Sequence, residues 1–126
     1  MNKVPIFSKR AWFKNISLSR KDITYINRIR TGHYQLNSHL HRMKIVGSPS
    51  CECCNVPQNI DHIVWQCPLL SADREELIFN LAKELITPGT NVTEIFLESS
   101  IDILMMILYF LYNNEVFFVN KRQQKI

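Results

Sequence analysis

Four cysteines and one histidine crowd into residues 51–67: Cys51, Cys53, Cys54, His62 and Cys67. Thiolate sulfur and imidazole nitrogen are the donors zinc prefers, usually four of them at the corners of a tetrahedron. Read as Cys51-x2-Cys54-x7-His62-x4-Cys67, the spacing supplies such a set. A C-x2-C turn brings two thiolates onto one ion with backbone amides facing the sulfurs, and His62 and Cys67 close the opposite side. Protein then fills every coordination position and leaves none for a reactive water, so the expected cofactor is one structural Zn2+. Cysteines this close together make poor staples for long loops. Pro5, Lys9, Arg10 and Lys14 also interrupt any secretory apolar stretch near the N-terminus, so a disulfide framework is not expected.

Cys53 leaves the register open, because Cys51-x-Cys53-x8-His62-x4-Cys67 meets the same four-donor requirement. The sequence favours Cys54. The residue after the second cysteine of such a turn commonly takes a left-handed backbone, which Asn55 tolerates better than a cysteine would. A nucleophilic Cys67–His62 pair lacks any recognisable oxyanion hole or orienting group, and no enzyme activity is expected from it.

Charge marks a second candidate region. Residues 1–50 hold ten lysines and arginines against the single acid Asp22, a balance of +9, whereas residues 51–126 hold five against ten acids, a balance of −5. So uneven a split within a chain of net charge +4 points the first half at a polyanion, most often nucleic acid. Lys21, Arg28, Arg30, His33 and Arg42 are the side chains expected to meet phosphate, weakly and without reading bases. His39 and His41 read as residues of a polar helix face. Trp12 and Phe13 lie among Lys9, Arg10 and Lys14, a composition suited to stacking on single strands, but docking onto the first helix is the favoured expectation.

Helices must position these groups. With 46% apolar residues, 3 glycines and 5 prolines, 126 residues make one domain with a substantial core, and low-complexity or wholly disordered classes are excluded. Ser19-x-x-Asp22 is a capping pattern ahead of Ile23, Ile26 and Ile29, and predicts a first helix from Ser19 that stops at Gly32. Leu36, Leu40 and Met43 predict a second over residues 35–44. A short helix is expected over 60–66, with Ile63 and either Val64 or Trp65 turned inward. Ser71 opens the next, whose stripe of Leu77, Ile78, Leu81 and Leu85 ends before Thr87-Pro88-Gly89. A turn or short helix follows over 93–97, then a buried helix over 100–113 that is apolar nearly all round. Residues 101–112 are too few to cross a bilayer and include Asp102, so no membrane span is expected. Asn91-Val92-Thr93 has the form of a glycosylation site and reads as coincidence. The expected fold class is mainly α, a small helical bundle with a Cys3His zinc-knuckle loop. Residues 1–18 form an irregular basic segment, 19–70 the helical region with the knuckle, and 71–126 the helices completing the same core.

Several of these motifs fall together. Arg28-x-Arg30-Thr31-Gly32-His33, Leu36-Asn37-x-x-Leu40, Ser48-Pro49-x-Cys51, the next cysteine pair, and Asp61-His62-Ile63-x-Trp65-x-Cys67-Pro68 resemble the zinc-binding domain found downstream of the reverse transcriptase and ribonuclease H modules of arthropod non-LTR retrotransposons. The resemblance covers about residues 12–70 and fades to a helical pattern beyond. It implies a zinc-stapled helical module that assists nucleic-acid binding or packs against a neighbouring reverse transcriptase or ribonuclease H. Both cysteine spacings occur in that family, so the register stays open. A ribonuclease H gathers several carboxylates on Mg2+, whereas residues 1–60 contain only Asp22 and Glu52. The expectation is a non-catalytic fragment or stand-alone derivative, intracellular in cytoplasm or nucleus, that binds RNA or DNA weakly and nonspecifically. The alternative is a zinc-stapled structural or protein-interaction domain without nucleic-acid contact, favoured by the acidic second half and its apolar last helix.

Overall fold

A computed structural model describes residues 18–116 except residue 72. They form six α-helices: α1 (Arg20–Thr31), α2 (Asn37–Arg42), α3 (Ile60–Trp65), α4 (Arg74–Lys83), α5 (Val92–Glu98) and α6 (Ile101–Asn113). A 3-10 turn, Pro68–Leu70, precedes α4, and no β-strand occurs among the described residues. The protein is therefore mainly helical, with Cys51, Cys53 and Cys54 in the loop between α2 and α3, His62 on α3 and Cys67 just past its end.

Helix α1 starts and stops where local chemistry requires. Ser19 Oγ accepts from Asp22 N–H at 3.1 Å, and Asp22 Oδ2 accepts from Ser19 N–H at 3.4 Å, which satisfies two of the amides that lack partners at a helix start. Gly32 ends the helix at φ 75°, a left-handed backbone that costs glycine nothing sterically. Ile26 and Ile29 are fully buried against α5 and α6, while Ile23 is half-buried. The other end of α1 is tied to α6: Tyr112 Oη donates to Asp22 Oδ1 at 2.6 Å, and its ring meets Tyr25 edge-on at 5.0 Å. Tyr25 Oη in turn donates to the Val116 carbonyl at 2.9 Å.

Helix α6 supplies the centre of the core, with Leu104, Ile107, Leu108 and Leu111 fully enclosed and α4 packed alongside. Asn91 begins α5 by accepting from Glu94 N–H at 3.0 Å, so the Asn-x-Thr pattern serves here as a helix cap.

Two expectations fail at helix ends. Helix α2 is shorter than predicted and buries none of its six residues; Leu36 packs inside as its N-cap, but Met43 is 60% exposed. The helix ends at Arg42 with Met43 as its C-cap, and the chain then turns away, with Lys44 at φ 60° and Ile45 N–H bonded back to the Leu40 carbonyl. Helix α4 likewise stops at Lys83 rather than carrying its stripe on to Leu85. Leu85 takes φ 63° and stands 92% exposed, while Ile86 N–H returns to the Leu81 carbonyl and brings Ile86 partly inside. Trp12 and Phe13, expected to dock on α1, lie outside the described residues.

Candidate metal centre and basic surface

The Cys/His loop is shaped by hydrogen bonds before any ion is considered. Cys51 N–H donates to the Val56 carbonyl at 2.7 Å, closing a tight loop that carries Cys53 and Cys54, and Ser50 pairs with Pro57 in an isolated antiparallel bridge. Asn55 lets this loop turn, with φ 59°. Helix α3 is started by Asn59, whose Oδ1 accepts from His62 N–H at 2.8 Å, and one turn of helix then presents the His62 ring to the loop. Cys67 N–H bonds to the His62 carbonyl at 2.8 Å and swings its sulfur back toward the same point.

The ligand atoms of Cys51, Cys53, Cys54 and His62 all lie within 4.8 Å of one another, a grouping that could hold a metal ion. Cys67 joins them through Sγ–Sγ distances of 3.8 Å to Cys51 and 3.5 Å to Cys53. Cys53 Sγ is also 3.4 Å from Cys51 Sγ and 3.8 Å from His62 Nε2, so it sits beside three potential co-ligands. Cys54 Sγ approaches His62 Nε2 at 3.4 Å. Around a tetrahedral zinc with bonds of about 2.3 Å, sulfurs stand about 3.8 Å apart. The sulfurs of Cys51, Cys53 and Cys67 come within a few tenths of an ångström of that spacing. The left-handed Asn55 that favoured Cys54 in the sequence is present, yet Cys53 is the sulfur with contacts to all of Cys51, Cys67 and His62.

Ionisation is divided unevenly. Burial pushes the Cys51 thiol up, but the Cys53 amide and the Cys53, His62 and Cys67 side chains outweigh it and hold the group near about 6. Cys53 is pushed up to about 11, first by its contact with Cys54 and then by burial and Cys51. Cys67 is also pushed up to about 11, by burial foremost and by its sulfur neighbours. A coordinated dication reverses the latter two, because its charge deprotonates a ligating thiol outright.

Three supporting residues, Gln66, Gln58 and Arg74, were not legible as such in the sequence. Gln66 Oε1 lies 3.3 Å from His62 Nδ1, where it can accept an Nδ1 proton and so free the Nε2 lone pair for a metal among the sulfurs. Its position four residues after His62 on a helix was the available signal. Gln58 Nε2 reaches Cys51 Sγ at 3.7 Å while its Oε1 accepts from Asn37 N–H at 2.8 Å, joining the loop to the start of α2. Nothing in its spacing announces this, since a loop brings the two segments together. Arg74, 8% exposed, completes the support: its guanidinium donates to the Ile63 and Val64 carbonyls at 2.9 and 2.8 Å, fastening the end of α3 to α4.

The five basic candidates do not share one surface. Lys21 is exposed, with Nζ 4.0 Å above the Tyr112 ring. Arg30 is half-buried and donates from Nε to the Phe96 carbonyl at 2.7 Å, closing the last turn of α5. Arg28, His33 and Arg42 gather instead where α1 gives way to α2. Arg28 Nη1 reaches the His33 carbonyl at 3.4 Å, and His33 and Arg42 line a cleft of about 230 Å3.

No family model matches the chain, and no solved structure matches it. The chain is similar to a retrovirus-related Pol polyprotein from type-1 retrotransposable element R1 4 of Nasonia vitripennis, with 31% identity over 64 residues. Those residues are 51% of this chain and 16% of that relative, so the chain spans a small part of the polyprotein's length. Among the described residues no helix is long and apolar enough to cross a membrane. The chain therefore combines weak similarity to a retrotransposon Pol polyprotein with a helical fold and a Cys/His cluster suited to a metal ion.

Proposed function

We propose that this chain is a retroelement-derived zinc-binding module that binds nucleic acid nonspecifically and has no catalysis of its own. The observation carrying this reading is the convergence of sulfurs and one imidazole at near-tetrahedral spacing, in a chain similar to a retrotransposon Pol polyprotein. Cys51, Cys53, His62 and Cys67 hold one structural Zn2+, with Cys54 as a fifth donor beside them. The zinc supplies folding energy to a loop short of apolar side chains. The excess of basic residues in the first half supports contact with phosphates, as does the gathering of Arg28, His33 and Arg42 at one corner.

Affinity should be of the order of 10⁻⁴–10⁻⁶ M at physiological salt, with log affinity falling on log salt by about 0.7–0.9 per phosphate contacted. Titrating single- and double-stranded RNA and DNA across salt, on protein whose zinc content is measured, tests the reading. Stoichiometric zinc with salt-dependent, sequence-independent binding is the expected result. Zinc without nucleic-acid binding at low salt would favour a structural or protein-interaction domain, which the use of Arg30 as an internal cap already suits. Neither zinc nor binding would refute both.

A further inference from the structure

The cleft at the α1–α2 corner has a feature that the sequence reading assigned to a bland polar face: His39 is part of its wall. Thr31, Gly32, His33, His39, Arg42 and Met43 line it, and no acidic residue does. The His33 and His39 rings lie 5.3 Å apart. His39 Nδ1 is buried and has no hydrogen-bond partner among the described residues. Burial, followed by the charges of Arg42, His33 and Arg28, lowers the readiness of His39 to accept a second proton. A neutral imidazole still carries one N–H, so His39 can donate to an oxygen ligand.

The charge pattern decides which ligand fits. Two neighbouring imidazoles suggest a metal, but Arg42 on the wall and the nearby charge of Arg28, both felt at His39, repel a cation. They attract an anion instead, and a guanidinium matches the oxygens of a phosphate group. Gly32 leaves this part of the wall without a side chain, and a Cβ added there would meet nothing within 4 Å. We propose that the cleft between the end of α1 and α2 is a seat for one phosphate group, held by Arg42 with His33 and His39 as further donors, while Arg28, bonded to the His33 carbonyl beside the wall, adds positive charge. This rests on the nucleic-acid reading for its natural occupant, a backbone phosphodiester; the chemistry recognised is the phosphate oxygens themselves.

The test uses the full chain loaded with zinc and two probes, a ten-nucleotide oligothymidylate at low salt and inorganic phosphate. Arg42→Gln and the double change Arg28→Gln with Arg42→Gln are compared with Lys83→Gln, a lysine on α4 outside the cleft. The double variant should bind the oligonucleotide about tenfold more weakly and lose about 0.7 from the salt slope, one single-stranded phosphate, with Lys83→Gln unchanged. Inorganic phosphate should shift the His33 and His39 ring resonances in the wild type and not in the double variant. Arg42 is exposed on the last turn of α2, so its single change keeps the test valid if losing the Arg28 bond to His33 disturbs the fold. Oligonucleotide binding at wild-type strength in both variants overturns the seat and leaves the general reading standing. Phosphate-induced shifts without oligonucleotide binding keep the seat and overturn the nucleic-acid reading. No response to either probe overturns both.

Discussion

Replacing Cys53 and Cys54 in turn separates a ligand from its neighbour, and the expected sizes follow from the sulfur distances. Cys53 Sγ lies 3.4 Å from Cys51, 3.5 Å from Cys67 and 3.8 Å from His62 Nε2, so an ion bound by those three groups has Cys53 as its fourth ligand. Structural zinc in small domains binds with about 10–16 kcal/mol, or roughly 3–4 kcal/mol for each of four ligands, which corresponds to about 10²–10³ in affinity. Cys53→Ser should lose less than that. Cys54, within 4.8 Å of both Cys51 and His62, is near enough to take over part of the coordination. We expect about tenfold weaker zinc for Cys53→Ser, less than threefold for Cys54→Ser, and the full 10²–10³ for the double change, a strongly non-additive pattern. Competition against a chromophoric chelator measures each constant, and cobalt substitution reports whether the site keeps its tetrahedral spectrum. At saturating metal, loss of affinity appears as an equal loss of folding free energy, so chemical denaturation in zinc buffers is an independent check. Cys54→Ser weakening zinc as much as Cys53→Ser, or additive losses in the double variant, would refute the assignment.

Arg74→Met leaves the Ile63 and Val64 carbonyls without their buried donor and should destabilise the protein by about 2–4 kcal/mol in urea melts, equally with zinc bound and with zinc chelated. A change below about 0.5 kcal/mol would show that Arg74 does not fasten α3 to α4. Tyr112 should govern an alkaline limit. Burial foremost, then its bond to Asp22, raises its pKa above the ordinary tyrosine value, so the folded state keeps a proton that the unfolded chain releases. Stability is then full below about pH 10 and falls as pH rises beyond it. Tyr112→Phe should flatten that fall while lowering stability at neutral pH, and an unchanged alkaline slope would contradict the linkage.

Much of this protein was determined locally, and those parts were legible in the sequence. Ser19 and Asp22 cap α1 through bonds three residues apart, and Gly32 ends it because only a left-handed turn follows. Ile26, Ile29, Leu104 and Leu108 lie inside because helical periodicity puts them on one face. The donor types of the Cys/His cluster are equally local, since residue type and spacing are read directly from the sequence. Tertiary structure decided the rest. Leu85 and Met43 continue an apolar stripe in the sequence, but both helices end short of them, Leu85 in a left-handed turn and Met43 at the C-cap of α2, and both stand in solvent. Cys53 and Cys54 differ by one position, and the fold of the loop against Cys67, which arrives from beyond α3, sets which sulfur meets the others. Arg30 and Arg28 are near-identical in sequence context. A carbonyl at the end of α5, 66 residues away, takes up Arg30, whereas Arg28 is left beside His33, because the path of the chain through three dimensions places those partners.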